Sequence, residues 1–166
     1  GIACYPHDGE STQDLLKHAD LAMYRSKEMG RNRFYFYNES LYDSIRSRME
    51  LLNDLQHAFV NQELELFYQP ILRVVGNRCI GVEALIRWHH PKKGLVCPEQ
   101  FISIAEEHDI IHEIGEWVMF TACEQMATWL SLGIPLEFIT VNVSGKQIMQ
   151  RDFASVMKKI LSATRC

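Results

Sequence analysis

Residues 81–91 read Gly-Val-Glu-Ala-Leu-Ile-Arg-Trp-His-His-Pro, an apolar run that carries one acidic and one basic side chain. The two-residue repeat of a β-strand places Glu83, Leu85 and Arg87 on one face. The opposite face then consists of apolar side chains only, namely Val82, Ala84, Ile86 and Trp88. A buried carboxylate is costly unless it is paired or binds a cation, so the pattern favours a site for metal and phosphate. An internal ion pair between Glu83 and Arg87 is the alternative interpretation.

Two further apolar runs end in polar residues. Residues 63–71 read Glu-Leu-Glu-Leu-Phe-Tyr-Gln-Pro-Ile, a predicted strand that ends at Gln69 and a proline. Residues 138–144 read Phe-Ile-Thr-Val-Asn-Val-Ser, a predicted strand that ends in Asn142 and Ser144. Strands that alternate with helices are typical of parallel units wrapped into a barrel. In such barrels the catalytic and ligand-binding residues lie at the C-terminal ends of the strands, where we expect these polar side chains to lie.

Between the strands we predict a short helix over residues 98–105 and a longer one from Ile114 to about Leu132. The predicted buried stripe of the longer helix comprises Trp117, Val118, Phe120, Thr121, Met126 and Trp129. His108 and His112 are spaced as neighbours on one helical turn, but this spacing often arises by chance. A polar helix end is therefore favoured over a zinc site.

Several of these motifs occur in the order of a known family. The segments Tyr-Gln-Pro-Ile (68–71), Glu-Ala-Leu-Ile-Arg-Trp (83–88), His-Pro (90–91) and Val-Asn-Val-Ser (141–144) resemble the first half of an EAL domain. The resemblance covers roughly residues 50–166. That family hydrolyses the bacterial second messenger cyclic di-GMP. The resemblance implies an α/β fold that forms part of a TIM-like (β/α)8 barrel, because a complete barrel needs about 250 residues.

The first forty residues resemble a different domain. Residues 1–6 and 34–38 are strand-like, and residues 12–30 have the apolar spacing of an amphipathic helix. Ala-Asp-Leu-Ala-Met-Tyr (19–24), together with Lys27 and Arg31, is similar to the C-terminal end of a GGDEF domain, an α/β diguanylate cyclase fold. The resemblance implies phosphate contacts for Lys27 and Arg31. Solvated side chains near a helix C-terminus are the alternative interpretation. The Gly-Gly-Asp-Glu-Phe hairpin is absent, so we expect no cyclase activity from these residues.

Three segments follow from these resemblances. Residues 1–38 are the predicted GGDEF remnant, residues 39–61 a connecting helix, and residues 62–166 the N-terminal half of an EAL domain. The connecting helix is predicted from apolar side chains at helical spacing, namely Leu41, Ile45, Met49, Leu52, Leu55 and Phe59.

The EAL resemblance implies a role for five residues. Glu83 would be the catalytic glutamate that binds metal, and Asn142 would join it through a carbonyl oxygen. Hard oxygen ligands suit Mg²⁺ or Mn²⁺. Arg87 would clamp a phosphate by two hydrogen bonds, and Gln69 and Leu85 would contact cyclic di-GMP.

The composition of the chain argues against two classes of binding partner. The net charge of −4 gives no electrostatic footprint for a nucleic-acid polymer or an anionic membrane. No apolar run approaches a membrane span, and the chain opens without a signal peptide, although upstream segments could anchor a longer parent. Five cysteines without a Cys-x-x-Cys pair are typical of a reducing cytoplasm, where we expect most of them to be buried.

The family site also requires a glutamate, an Asp-Asp pair, a lysine, a glutamate and a glutamine that would follow Cys166. We therefore expect part of a cyclic di-GMP phosphodiesterase that produces linear pGpG, with these residues inactive on their own. A non-catalytic cyclic di-GMP receptor is the first alternative. The second is a truncated chain with only an interaction role, such as a homodimer formed through an open barrel edge.

Overall fold

The computed structural model describes residues 1–166, with every side chain except that of Glu28. The chain divides into two compact units, residues 1–53 and 54–166. Among the described residues, no helix combines the length and the apolarity that crossing a membrane requires.

The first unit is built on two helices, α1 (Thr12–Glu28) and α2 (Glu39–Ala58), the second of which continues into the other unit. Helix α1 begins where the Ser11 hydroxyl accepts a hydrogen bond from the backbone N–H of Asp14 at 3.1 Å. Its apolar face packs with α2 in a small core made of Ala22, Leu41 and Ile45, together with Leu21, Tyr35 and Tyr37.

The strands predicted at residues 1–6 and 34–38 do not form. The two segments share one isolated parallel bridge between Ile2 and Phe36. The chain turns directly afterwards, since the N–H of Asp8 donates to the carbonyl of Cys4 at 2.7 Å. That turn leaves no extended backbone to lengthen the pairing.

The second unit contains a sheet centred on β2 (Arg78–His90). Strand β1 (Leu64–Arg73) pairs antiparallel with it along its length. Along the other edge of β2, β3 (Gly94–Val96) pairs antiparallel near its C-terminal end and β4 (Phe138–Val141) pairs parallel with residues 81–84.

The sheet corrects the prediction of successive parallel strands. Strands β1 and β2 form a hairpin whose connection, residues 74–77, is too short for a parallel crossover. Strand β1 also continues past Gln69 to Arg73, and Glu83 lies in the middle of β2. The polar residues therefore meet across neighbouring strands and do not all lie at strand ends.

Four helices complete the second unit, namely α3 (Pro98–Glu107), α4 (Ile111–Ser131), α5 (Gly145–Ile148) and α6 (Phe153–Thr164). The largest fully buried side chains are Trp88, Phe101, Leu55, Ile104 and Ile114. Because α3 ends before α4 begins, His108 and His112 do not share a helical turn.

The predicted stripe of α4 is partly wrong. Val118 and Met126 are buried as expected, but Phe120 is 39% exposed. Helix α4 packs against α6 as well as the sheet, and Met119 and Cys123 meet Ile160 there. A second packing partner turns a different set of side chains inward.

Two smaller expectations about burial are also wrong. In α2, Met49 is exposed and Leu51 is buried in its place. Of the five cysteines only Cys123 is buried, while Cys4, Cys97 and Cys166 are exposed.

Candidate functional site

The two faces of β2 differ in burial as the alternation predicted. Val82, Ala84 and Trp88 are buried and Ile86 on the same face is half-buried. Glu83 and Arg87 on the opposite face are half-buried. A half-buried charged side chain keeps part of its hydration and remains accessible to a ligand. The open face of β2 is therefore the face that can carry chemistry.

Glu83 and Asn142 are in direct contact. Glu83 lies beside Thr140 in the parallel register of β2 and β4, and Asn142 follows two residues later. The side-chain amide of Asn142 donates a hydrogen bond from Nδ2 to Glu83 Oε1 at 2.8 Å. Gln69 lies opposite Glu83 in the antiparallel register of β1 and β2. The sheet thus brings three of the predicted residues into neighbouring positions.

Arg87 has no ion pair with any described carboxylate. Its Nη1 donates to the backbone carbonyl of Ile86 at 2.8 Å, and its guanidinium lies 5.6 Å from the centroid of the Phe67 ring. The internal pair between Glu83 and Arg87 does not form, since four strand residues span about 13 Å. An arginine held by an aromatic ring and one carbonyl keeps donors available for an anion.

A cavity of about 510 Å³ opens along the edge of β2 at residues 84–87, so side chains of both faces of the strand meet it. Leu85, Arg87 and Asn142 contribute to its lining, and Glu83 adjoins it through its hydrogen bond to Asn142. Its apolar wall is supplied by α3 and α4 through Ile102, Ile111, Ile114 and Val118. An apolar cavity with a few convergent polar groups is typical of small-molecule sites.

The loop after β4 is fixed by a reciprocal cap at α5. The Ser144 hydroxyl accepts from the N–H of Lys146 at 3.1 Å, and the N–H of Ser144 donates to Gln147 Oε1 at 2.9 Å. Gln147 is only 3% exposed because it lies against Gly115, where a Cβ atom would approach Gln147 Nε2 to 1.5 Å. This packing positions the Asn142 loop, and the sequence gives no local signal for Gly115.

The buried end of β2 carries two polar contacts, made by Trp88 and His90, that the alternation of the strand does not predict. Trp88 Nε1 donates to Glu63 Oε2 at 2.9 Å. His90 Nδ1 accepts from the N–H of Lys92 at 3.0 Å, so its Nε2 carries the proton that reaches Asp54 Oδ2, also at 3.0 Å. Both side chains are fully engaged by the protein and therefore support the fold.

The donors present suit a hard divalent cation. Glu83 and Asn142 offer a carboxylate and a carbonyl oxygen, the ligand types that Mg²⁺ and Mn²⁺ accept while keeping several waters. No group of three or more His, Cys, Asp and Glu side chains suited to a metal occurs among the residues that the structure describes.

Lys27 and Arg31 both lie in the first unit. Lys27 is exposed in the last turn of α1. Arg31 is also exposed, with a left-handed φ of 59° and its N–H donating to the carbonyl of Ser26 at 3.1 Å.

Both units of the chain match known protein families. Residues 52–166, more than half of the chain, match the family model of the EAL domain. The chain belongs to the EAL domain family. Residues 1–33 match the model of the diguanylate cyclase GGDEF domain, so both resemblances seen in the sequence are confirmed.

One curated relative is the bifunctional diguanylate cyclase/cyclic di-GMP phosphodiesterase MucR of Pseudomonas aeruginosa. It is 40% identical over 161 residues, which cover 97% of this chain and 24% of MucR. The present chain, with its EAL unit, thus spans about a quarter of the length of that relative.

Two solved EAL structures share the fold. The PaMucR phosphodiesterase in its c-di-GMP complex matches with a TM-score of 0.67 and 39% identity, over 70% of this chain and 47% of that one. The EAL enzyme Bd1971 in its form bound to cAMP and cyclic di-GMP matches with a TM-score of 0.68 and 29% identity, over 96% and 42%. These matches confirm the predicted α/β class and the relation to the TIM-like EAL barrel.

Proposed function

We propose that residues 54–166 contribute the site of a metal-dependent phosphodiesterase that hydrolyses cyclic di-GMP to linear pGpG. The observation that carries the proposal is the arrangement on β2. One face of β2 carries a carboxylate bonded to Asn142 and an arginine that has no acidic partner among the described residues. Arg87 and Asn142 also line the cavity at the edge of the strand. This arrangement pairs oxygen ligands for a cation with donors for a phosphate.

Arg87 is the proposed phosphate ligand. A guanidinium group presents two parallel N–H donors that match two phosphate oxygens. Arg87 lines the cavity together with Leu85, and the neighbouring apolar wall offers a surface for a nucleotide base. The ligand would thus be oriented by its charge at Arg87 and by apolar contact beside it.

Glu83 and Asn142 are the proposed ligands of Mg²⁺ or Mn²⁺. When bound, such a cation supplies a water that ionises near neutral pH and neutralises charge on the phosphoryl oxygens. The hydrogen bond from Asn142 Nδ2 orients the Glu83 carboxylate, and Gln69 lies opposite Glu83 on β1. The protein's own contribution is therefore to fix the direction of Glu83 relative to Arg87.

Binding of cyclic di-GMP to the full-length protein tests the site, with hydrolysis followed by chromatography of pGpG. We expect Arg87→Ala to weaken binding about tenfold or more, the loss of a charge-assisted contact. Arg73→Ala is the matched control, because Arg73 pairs with Glu137 at the exposed end of β1. Equal affinity in the wild type and in Arg87→Ala would refute the proposed phosphate ligand.

The same experiment separates an enzyme from a receptor. Only two of the proposed residues, Glu83 and Asn142, are assigned as metal ligands, which keeps a non-catalytic receptor as the second candidate. We expect Glu83→Gln to abolish pGpG formation while binding persists. Arg87-dependent binding without hydrolysis by the wild type in Mg²⁺ or Mn²⁺ would instead assign the receptor function.

A further inference from the structure

Glu65 and Arg87 lie directly opposite each other on β1 and β2, yet they do not form an ion pair. Opposite charges at such cross-strand positions ordinarily attract, because their Cβ atoms are only about 5 Å apart. A Glu65 carboxylate on Arg87 would occupy the donors and the charge that an anionic ligand needs. The positions of both side chains therefore need an explanation.

The Glu65 carboxylate is engaged by His89. Glu65 Oε2 lies 2.7 Å from His89 Nε2, and the two side chains are 58% and 50% exposed. His89 is two residues beyond Arg87 on the same face of β2, so it reaches Glu65 diagonally across the hairpin. The contact draws the carboxylate towards the C-terminal end of β2.

Arg87 is turned in the other direction by Phe67. The ring of Phe67 lies diagonally across from Arg87, beside Leu85, with its centroid 5.6 Å from the guanidinium carbon. The aromatic face attracts a cation without neutralising its charge. Arg87 in this position lines the cavity with its donors unpaired by any described carboxylate.

We propose that His89 is a positioning residue that withholds Glu65 from Arg87, so that Arg87 stays free to bind the phosphate of the ligand. This inference rests on the proposed function, because it concerns the same phosphate contact. The proposed role explains why Glu65 pairs with His89. Neither the packing of the core nor the lining of the cavity requires that pair.

A rescue experiment tests the inference by calorimetric binding of cyclic di-GMP to the full-length protein. We expect His89→Ala to release Glu65 onto Arg87 and weaken binding about threefold to fivefold, the size of an exposed ion pair. Adding Glu65→Gln to His89→Ala is expected to restore wild-type affinity, since the competing charge is gone. Glu65→Gln alone should bind as the wild type does. His108→Ala, an exposed histidine outside the hairpin, is the matched control.

The outcomes separate this inference from the proposed function. If Arg87→Ala weakens binding but His89→Ala does not, the inference is wrong and the proposed function stands. If His89→Ala weakens binding and Glu65→Gln fails to rescue it, His89 acts in another way and the inference is again wrong. If Arg87→Ala has no effect, the phosphate contact of the proposed function is refuted and the inference fails with it.

Discussion

The polar side chains on the two faces of strand β2 differ in how completely their hydrogen bonds are made within the protein. On the buried face, His90 is 1% exposed at its side chain and both of its ring nitrogens are bonded within the protein. Trp88 beside it places its indole N–H on Glu63. On the open face, Arg87 contacts one carbonyl and one aromatic ring among the residues that the structure describes. One strand thus separates the groups that stabilise the fold from the groups that can bind a ligand.

The difference follows from the cost of desolvation. A buried donor or acceptor without a partner destabilises the fold by about 1–3 kcal/mol, so the buried face must satisfy every polar atom. A half-exposed group can be completed by water, which a ligand can later displace. Stability and binding should therefore respond to different substitutions along the same strand.

The largest expected effect comes from the buried face. Trp88→Ala should lower the free energy of unfolding by about 3–5 kcal/mol, because it leaves a large cavity against Phe101 and removes the partner of Glu63. Trp88→Phe, which keeps most of the ring, should cost less. Urea unfolding followed by circular dichroism measures both variants. A loss below about 1 kcal/mol in Trp88→Ala would contradict the division of the two faces.

A smaller effect on stability is expected from the open face. Glu83→Ala removes one hydrogen bond from a half-buried carboxylate and should lower the free energy of unfolding by about 1 kcal/mol or less. The same urea experiment provides the value. A loss as large as that of Trp88→Ala would mean that Glu83 supports the fold, and the assignment of this face to binding would fail.

The sequence predicted the two faces of β2 because alternation is a local property. The sequence also contains a turn signal at residues 76–77, since Gly76-Asn77 is a hairpin dipeptide. Both residues have positive φ, 89° and 46°, which a tight turn requires. Recognising that turn would have predicted the antiparallel pairing that places Gln69 opposite Glu83.

Other parts of the site depend on contacts between distant segments. Gly115 admits Gln147 from 32 residues further along the chain, and nothing in the spacing of either residue indicates that contact. The spacing of α4 predicts a buried Phe120, which is exposed, because the face that α4 turns to α6 cannot be read from α4 alone. The motif residues were therefore easier to find than the residues that position them.

The smallest expected effect concerns the buried face of β1 at alkaline pH. Tyr68 alternates with the exposed Phe67 and lies edge-on to Trp129, with ring centroids 4.8 Å apart. Burial raises the pKa of the Tyr68 phenol above its value in the unfolded chain, about 10. The associated stability is complete below that unfolded value and is lost as pH rises through the folded pKa.

Wild-type protein should therefore lose more stability between neutral and alkaline pH than Tyr68→Phe. The difference should be small, because the Tyr68 ring is only half-buried. Urea unfolding at both pH values gives the difference, and Tyr5→Phe serves as the exposed control. Wild type and Tyr68→Phe share every ionising group except the Tyr68 phenol, so a larger alkaline loss in the wild type isolates that phenol. Tyr5→Phe lacks only the exposed Tyr5 phenol and should lose as much stability as the wild type. Equal losses in the two variants would show that β1 lacks the distinction between faces found on β2.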